Sequence, residues 1–195
     1  MSPSSRFSEV TTTIHDRTIH APLPIDPQSF RDVLSRWASG ITIITCGAEG
    51  RVHGMTASSF TSLSLDPPLV LVCVGKGKLT HALLETEGRF GIHILGPGFE
   101  EISDRCAGFR GEEAHWLDDL PTRREVTGAP ILEGTLAWVD CTLWKALDGG
   151  DHTIFIGEIQ AGGCAEGAPL LWFQRGYHLL GSPPDLDDGR DSPSE

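Results

Sequence analysis

The chain has 195 residues, 39% of them hydrophobic and 22% charged, which is the usual balance for one globular domain that buries its own core. Its formal net charge of -12 at pH 7 argues against nucleic acid and anionic membranes as partners, because binding to phosphates needs a basic surface. Five cysteines without C-x-x-C spacing, and the lack of a signal peptide or a membrane-spanning apolar run, predict a cytoplasmic protein without disulfide bonds or a metal site.

Composition divides the chain into three segments. Residues 1–24 are rich in Ser, Thr and Pro and have no apolar periodicity, so we expect a flexible N-terminal arm. Residues 25–181 carry the periodic apolar segments and are expected to form the folded domain. Residues 182–195 contain five acidic side chains against Arg190, which is typical of a disordered acidic tail.

Three helices are predicted. The first lies between Asp26, a suitable N-cap that is followed by Pro27, and Gly40, a suitable end. Its apolar residues recur with helical spacing: Phe30, Val33, Leu34, Trp37 and Ala38. The other two helices are predicted over Leu79–Glu87, ended by Gly88, and over Phe99–Phe109.

About seven strands are predicted from apolar and β-branched runs. They cover Ile41–Cys46, Leu69–Val74, Phe90–Leu95, the hairpin Leu136–Leu147 and His152–Gln160 around the turn Asp148–Asp151, Pro169–Phe173 and Tyr177–Leu180. Cys46, Cys73 and Cys141 fall within such runs and are expected to behave as small buried apolar residues. The pattern predicts a mainly β protein with a few short helices, as a Greek-key barrel rather than a doubly wound sheet. An open α+β sheet is the alternative.

The densest polar segment is Thr56–Ser64 (TASSFTSLS), which we interpret as a loop between two apolar stretches. Hydroxyl groups and accessible backbone N–H groups suit a phosphate or the polar edge of a heteroaromatic ring. The alternative is an ordinary turn whose Ser and Thr side chains bond their own backbone. Composition favours the ordinary turn.

Two further segments could bind a ligand. Gly75–Thr80 (GKGKLT) opens the second predicted helix, where glycines, lysines and a helix N-terminus favour an anion, although the Walker A spacing is absent. His152 follows the hairpin turn and could donate a proton or a hydrogen bond near neutral pH. Alternatively, Gly75–Thr80 is a solvated surface turn, and His152 is an exposed turn histidine without a ligand. The histidines show no metal-ligand spacing.

Together these segments resemble the flavin reductase-like family, whose members have an FMN-binding split β-barrel and include the reductase components of two-component flavin monooxygenases. The similarity runs from about Asp26 to Leu180. It is carried, in the family's order, by Phe30–Thr42, Gly54–Val70 (GMTASSFTSLSLDPPLV), Phe90–Leu95, Gly150–Ile159 (GDHTIFIGEI), Pro169–Phe173 and Gly176–Tyr177.

The resemblance implies roles for particular residues. The flavin ring and its ribityl chain are expected at Thr56, Ala57, Ser58, Ser59 and Ser62, with backbone contacts from Cys73 and Val74, and the flavin phosphate at Lys78 and Thr80. His152 is expected beside the nicotinamide, with Tyr177 a second candidate for the same pocket. The family usually has Asn where this chain has Ser58, and the shorter side chain bears on flavin affinity and on the choice between FMN and FAD.

The implied activity is reduction of FMN or FAD by NADH or NADPH, with the reduced flavin passed to a partner monooxygenase. The flavin carries the redox chemistry, so no side chain is assigned as a catalytic acid or base. The resemblance also implies a homodimer. One alternative is a flavin-binding electron carrier or sensor without turnover. A split-barrel oxidase of the pyridoxamine phosphate type is disfavoured, because no cluster of arginines matches its substrate phosphate.

Overall fold

A computed structural model describes residues 25–48, 50–108 and 116–181. The predicted N-terminal arm, the acidic tail and Phe109 lie outside these residues. The described part contains three helices and twelve strands in two compact units, divided after Leu34. None of its helices is long and apolar enough to cross a membrane.

The first unit contains helix α1 (Pro27–Leu34). Asp26 caps this helix, because its carboxylate accepts hydrogen bonds from the backbone N–H groups of Gln28 and Ser29 at 2.9 and 3.0 Å. The predicted end at Gly40 is wrong. Residues Ser39 and Gly40 form a short strand instead, because they pair with a strand near the other end of the chain.

The second unit contains the other helices and all the strands. The helices are α2 (Leu79–Glu87) and α3 (Glu100–Cys106). The strands are β1 (Ser39–Gly40), β2 (Thr42–Ala48), β3 (Arg51–Ala57), β4 (Thr61–Ser64), β5 (Leu69–Gly75), β6 (Arg89–Ile94), β7 (Thr122–Arg124), β8 (Pro130–Leu132), β9 (Ala137–Gly149), β10 (His152–Cys164), β11 (Leu170–Phe173) and β12 (Gly176–Leu179). The mainly β prediction is confirmed, with more strands than the seven expected.

Seven strands form one antiparallel sheet in the order β3-β2-β6-β9-β10-β5-β4. Its two edge strands are consecutive in the chain, joined by residues 58–60 alone. A flat sheet of seven strands would hold its edges roughly 29 Å apart, at about 4.8 Å per strand step. Four Cα–Cα steps span at most about 15 Å, so the sheet must curl until its edges approach each other. This is a barrel that is open between β3 and β4.

The segment interpreted as the loop Thr56–Ser64 is therefore only partly a loop. Thr56 and Ala57 end β3, and Thr61–Ser64 form β4. Strand β3 has no continuous apolar run, since Arg51, His53 and Gly54 interrupt it, so the sequence pattern missed it. It forms because its whole length pairs with β2.

The barrel interior holds the larger apolar cluster, which includes Ile44, Val72, Phe90 and Phe155, each fully buried. Cys46 and Cys141 are fully buried as predicted, and burial raises the pKa of each thiol to about 12. Cys73 differs, because it is only partly buried. Two smaller sheets, β1-β11-β12 and β7-β8, complete the unit.

Gly91 lies in the middle of the sheet, in β6, where a side chain does not fit. A Cβ atom there would lie 2.6 Å from Thr45 Oγ1 and 2.8 Å from the carbonyl oxygen of Pro130. We expect Gly91→Ala to lower the free energy of unfolding by about 2 kcal/mol, because backbone and buried side chains must move. Urea denaturation measures this. Gly40→Ala is the matched control, because its Cβ meets nothing within 4 Å; an equal change in both variants would contradict the packing argument.

Candidate functional site

A cavity of about 660 Å³ opens where the end of β3, the segment from β5 to α2 and the tip of the β9–β10 hairpin meet. Eight of the residues proposed from the sequence line it: Thr56, Ala57, Ser58, Ser59, Cys73, Lys78, Thr80 and His152. They come from three segments that are far apart in the chain. Its volume is that of a typical site for a small ligand or cofactor.

Three proposed residues do not line this cavity: Ser62, Val74 and Tyr177. Ser62 lies in β4 with an exposed side chain, paired with Val70 of β5. The side chain of Val74 is fully buried in the core, and its backbone pairs with Thr153 of β10. The backbone contact expected from Val74 stays a prediction.

Ser59 fixes the loop between β3 and β4 against β5. Its hydroxyl accepts a hydrogen bond from the backbone N–H of Cys73 at 3.0 Å and lies 3.3 Å from the Cys73 carbonyl oxygen. The alternative interpretation of this segment was an ordinary turn whose side chains bond their own backbone. The Ser59 hydroxyl does bond to backbone, but to that of strand β5. This contact holds one wall of the cavity to the next.

The start of α2 forms the polar end of the cavity. Lys78 is the N-cap residue but makes no side-chain capping bond, so the first helical N–H groups are not satisfied by that side chain. Thr80, in the first turn, is 1% exposed and lines the cavity. Lys76 forms an ion pair with Asp148, and its backbone N–H donates to the Asp151 carbonyl oxygen at 2.9 Å. A lysine and a helix N-terminus together favour an anion here.

His152 lies at the tip of the hairpin, facing the segment that precedes α2. Strand β9 extends to Gly149, so the turn is Gly150–Asp151, shorter than predicted. His152 Nδ1 lies 2.7 Å from Asp151 Oδ1, and this contact lowers the pKa of the Asp151 carboxyl. The imidazole is half-exposed and can reach a ligand in the cavity.

Tyr177 lies in a neighbouring cavity of about 130 Å³, which shares Thr56, Ser58 and Ala107 with the first. Its hydroxyl donates to Asp104 Oδ1 at 2.5 Å. Burial, followed by this hydrogen bond, raises the pKa of Tyr177 to about 12. The structure therefore does not bring Tyr177 together with His152.

The sequence analysis missed His53, which also lines the cavity and is only 3% exposed. Its Nδ1 atom lies 3.4 Å from Thr80 Oγ1, and its ring meets Trp116 edge to face at a centroid distance of 5.3 Å. Met55 and Cys106 line the cavity as well. Recognising β3 as a strand would have placed His53, Met55 and Ala57 on one face, since alternate residues share a face.

The described part of the charged segment after α3 supports this wall. Asp118 accepts hydrogen bonds from the backbone N–H of Val52 at 2.7 Å and from Arg51 Nε at 2.8 Å. Arg51 also lies 3.9 Å above the Trp116 ring. These contacts hold Trp116 against β3. Among the described residues, no group of three or more His, Cys, Asp or Glu could hold a metal ion.

Comparison with known proteins agrees with this architecture. The sequence profile of the Flavin reductase like domain matches residues 34–181. The reductase subunit HsaB of a flavin-dependent monooxygenase from Mycobacterium tuberculosis is 36% identical over 156 residues, which cover 78% of this chain and 82% of that protein. The NADH-dependent flavin reductase StyB of Pseudomonas fluorescens is 38% identical over 160 residues, covering 79% and 90%.

A solved structure has the same fold. The NADH:FAD oxidoreductase SgcE6 of Streptomyces globisporus, in complex with NAD and FAD fragments, superposes with a TM-score of 0.73 at 32% identity, covering 86% of this chain and all of that one. The barrel open at one side is thus the split barrel expected from the resemblance. The extent of the profile match and the identity to these relatives show that the chain belongs to the flavin reductase-like domain family.

Proposed function

We propose that this chain is an NAD(P)H:flavin oxidoreductase that reduces FMN or FAD and supplies the reduced flavin to a partner monooxygenase. The observation that carries the proposal is the convergence of Thr56–Ser59, the start of α2 and His152 on one cavity. The relatives support it by name, as a monooxygenase reductase subunit, an NADH-dependent flavin reductase and an oxidoreductase solved in complex with NAD and FAD fragments.

The cavity fits a flavin in size and in the distribution of polar groups. Met55, Ala57 and Leu79 offer apolar surface for a flat ring. The hydroxyl of Ser58 offers a hydrogen-bonding group for a ring edge or ribityl chain. The Thr56 hydroxyl donates to the Ser103 carbonyl oxygen and the Ser59 hydroxyl bonds to the Cys73 backbone, so each of these two offers a ligand only a lone pair. At the other end, Lys78 and the start of α2 would hold the phosphate. We propose these residues, with Thr80 and the Cys73 backbone, as the flavin site.

A flavin held by these residues would supply the redox chemistry, as the acceptor of a hydride from the nicotinamide of NAD(P)H. The task of the protein is to hold two rings face to face and to exclude competing orientations. A site of hydroxyls, backbone amides and apolar walls suits that task, since this step needs no general acid. We propose that His152 binds and orients the nicotinamide from the hairpin tip.

We also propose that residues 25–181 form the catalytic domain and that the protein is a cytoplasmic homodimer. All five cysteines are free, as is usual for proteins of a reducing compartment. Leu63, Leu65 and Trp144 are 46%, 92% and 51% exposed, and apolar surface of this kind suits a subunit contact. Sedimentation velocity at micromolar concentration tests the dimer, and a monomeric species would reject it.

Oxidation of NADH and NADPH, followed at 340 nm with and without added FMN, FAD or riboflavin, tests the activity. Turnover that depends on flavin would support the proposal and identify the preferred nicotinamide and the preferred flavin. Flavin binding without turnover would favour an electron carrier or sensor. If the chain showed no flavin binding and no turnover, the proposed site would be rejected.

Ser59→Ala tests the wall between β3 and β5. The change leaves the backbone N–H of Cys73 without its Ser59 partner beside the cavity. We expect flavin affinity to fall about fivefold, which corresponds to about 1 kcal/mol, a usual value for one hydrogen bond. Fluorescence titration of the flavin measures it. Ser62→Ala, on an exposed strand outside the cavity lining, is the matched control. Equal losses in the two variants would contradict the assignment.

A further inference from the structure

His53 is a buried polar residue in the wall of the cavity whose role the proposed reaction does not explain. It lies in β3, is 3% exposed, and lines the cavity beside Thr80. A buried imidazole needs hydrogen-bond partners from the protein or from a bound ligand. The hydroxyl of Thr80, 3.4 Å from Nδ1, is one such partner.

Trp116 restrains the orientation of the His53 ring. Trp116 packs its ring edge to face against the imidazole, at an interplanar angle of 84°. The backbones of His53 and Trp116 pair in an isolated β-bridge, and the N–H of Leu117 donates to the Val52 carbonyl oxygen at 2.7 Å. The guanidinium group of Arg51 lies over the Trp116 ring, 3.9 Å from its centroid. The imidazole therefore has a defined direction toward Thr80.

Thr80 has a single hydroxyl proton, and the direction of its bond with His53 decides where that proton goes. If Nδ1 of His53 accepts, the hydroxyl proton points at the imidazole, and the oxygen lone pairs face the cavity. If Nδ1–H donates, the hydroxyl proton is free to donate into the cavity. The cavity end beside Thr80 carries Lys78 and the start of α2, which favour an anion, so a donor is the arrangement that stabilises the ligand.

We propose that His53 is a positioning residue for the flavin phosphate: its Nδ1–H donates to Thr80 Oγ1 and thereby directs the Thr80 hydroxyl proton to a phosphate oxygen. The inference rests on the proposed function, because it takes a flavin phosphate as the anion. His53 acts through Thr80. Its loss therefore affects ligands that carry the phosphate and spares the same ring system without it.

The test compares FMN with riboflavin, which differ only by the phosphate, in the full chain freed of bound flavin by dialysis. Dissociation constants are measured by flavin fluorescence for the native chain, His53→Leu, Thr80→Val and the double variant. We expect each single variant to weaken FMN binding about tenfold while riboflavin binding changes less than twofold. The double variant is expected to lose no more than either single variant, because the two residues act as one unit.

His53→Asn is the rescue variant, since its side-chain N–H can occupy a position near that of Nδ1–H; we expect its FMN affinity within twofold of the native value. Riboflavin binding reports that each variant is folded. Should His53→Leu fail to fold, His53→Phe, which keeps a flat ring beside Trp116, replaces it.

Equal losses for FMN and riboflavin would overturn the inference and leave His53 a purely structural role. Additive losses in the double variant, or no rescue by His53→Asn, would also overturn it. If the native chain bound neither flavin, the proposed function itself would fail. A different outcome rejects only the inference: the native chain binds both flavins, and His53→Leu leaves the ratio of the two dissociation constants unchanged.

Discussion

The free energy of unfolding is expected to fall by about 3 kcal/mol between pH 6.5 and pH 4 because of His93 alone. His93 lies in β6 and is fully buried. It contacts the Ile43 carbonyl oxygen through Nδ1 at 3.0 Å and accepts a hydrogen bond at Nε2 from the Leu132 N–H at 3.0 Å. The second contact requires an unprotonated Nε2, so the folded state holds the neutral imidazole with its proton on Nδ1.

Burial, with a smaller contribution from the charge of Arg123, lowers the pKa of His93 from 6.5 to about 4, although the contact with Ile43 opposes the shift. The unfolded chain takes up a proton on this residue below pH 6.5, whereas the folded chain does so only near pH 4. The unfolded state therefore binds more protons across this window, and acid favours it. The stabilisation is fully present above pH 6.5 and is lost as the pH falls to 4.

Urea denaturation at half-unit steps from pH 7 to pH 4 measures this dependence. His93→Gln is the matched variant, because its amide can both donate and accept but does not titrate in this range. We expect its free energy of unfolding to fall less over the same steps. The difference between the two proteins should equal the contribution of His93. Parallel curves for the two proteins would contradict the assignment, since other titrating groups would then explain the acid sensitivity.

Replacement of His152 by alanine is expected to raise the apparent KM for the nicotinamide substrate at least tenfold, while the dissociation constant of the flavin changes less than twofold. A tenfold rise corresponds to about 1.4 kcal/mol, the size of one hydrogen bond to a bound ligand. His152 lines the cavity from the hairpin, and its Nδ1 contacts Asp151 of the same hairpin. The substitution should therefore leave the fold unchanged.

Steady-state rates at 340 nm over a range of NADH or NADPH concentrations, at saturating flavin, give this KM. His178→Ala is the matched control, because His178 is also an exposed histidine on a strand but lies in β12, outside the cavity lining. An unchanged KM in His152→Ala would remove His152 from the nicotinamide site. A flavin affinity that fell as much as the nicotinamide affinity would instead place it at the flavin.

The sequence alone determined the elements whose signals are local. Helix α2 has the predicted bounds, because Gly88 ends it in the left-handed conformation, with φ 63°, that glycine adopts at low cost. The hairpin of β9 and β10 was also predicted, because two largely apolar runs flank a glycine turn. Eight of the eleven residues proposed from the resemblance line one cavity. A family resemblance carries this information because relatives share the tertiary fold, which local sequence patterns do not encode.

Only the tertiary structure decided the features that depend on residues distant in the chain. Strand β1 pairs with β11, more than 100 residues later, so Ser39 and Gly40 form a strand where the local pattern predicted the end of a helix. Strand β3 exists because β2 pairs with it, and the curling of the sheet brings β3 close to β4. The tertiary structure also brings His53 of β3 near Thr80 of α2, and it places Tyr177 in the neighbouring cavity. Hydrogen bonds between strands compensate for weak local propensity, so no pattern within these segments predicts where they lie.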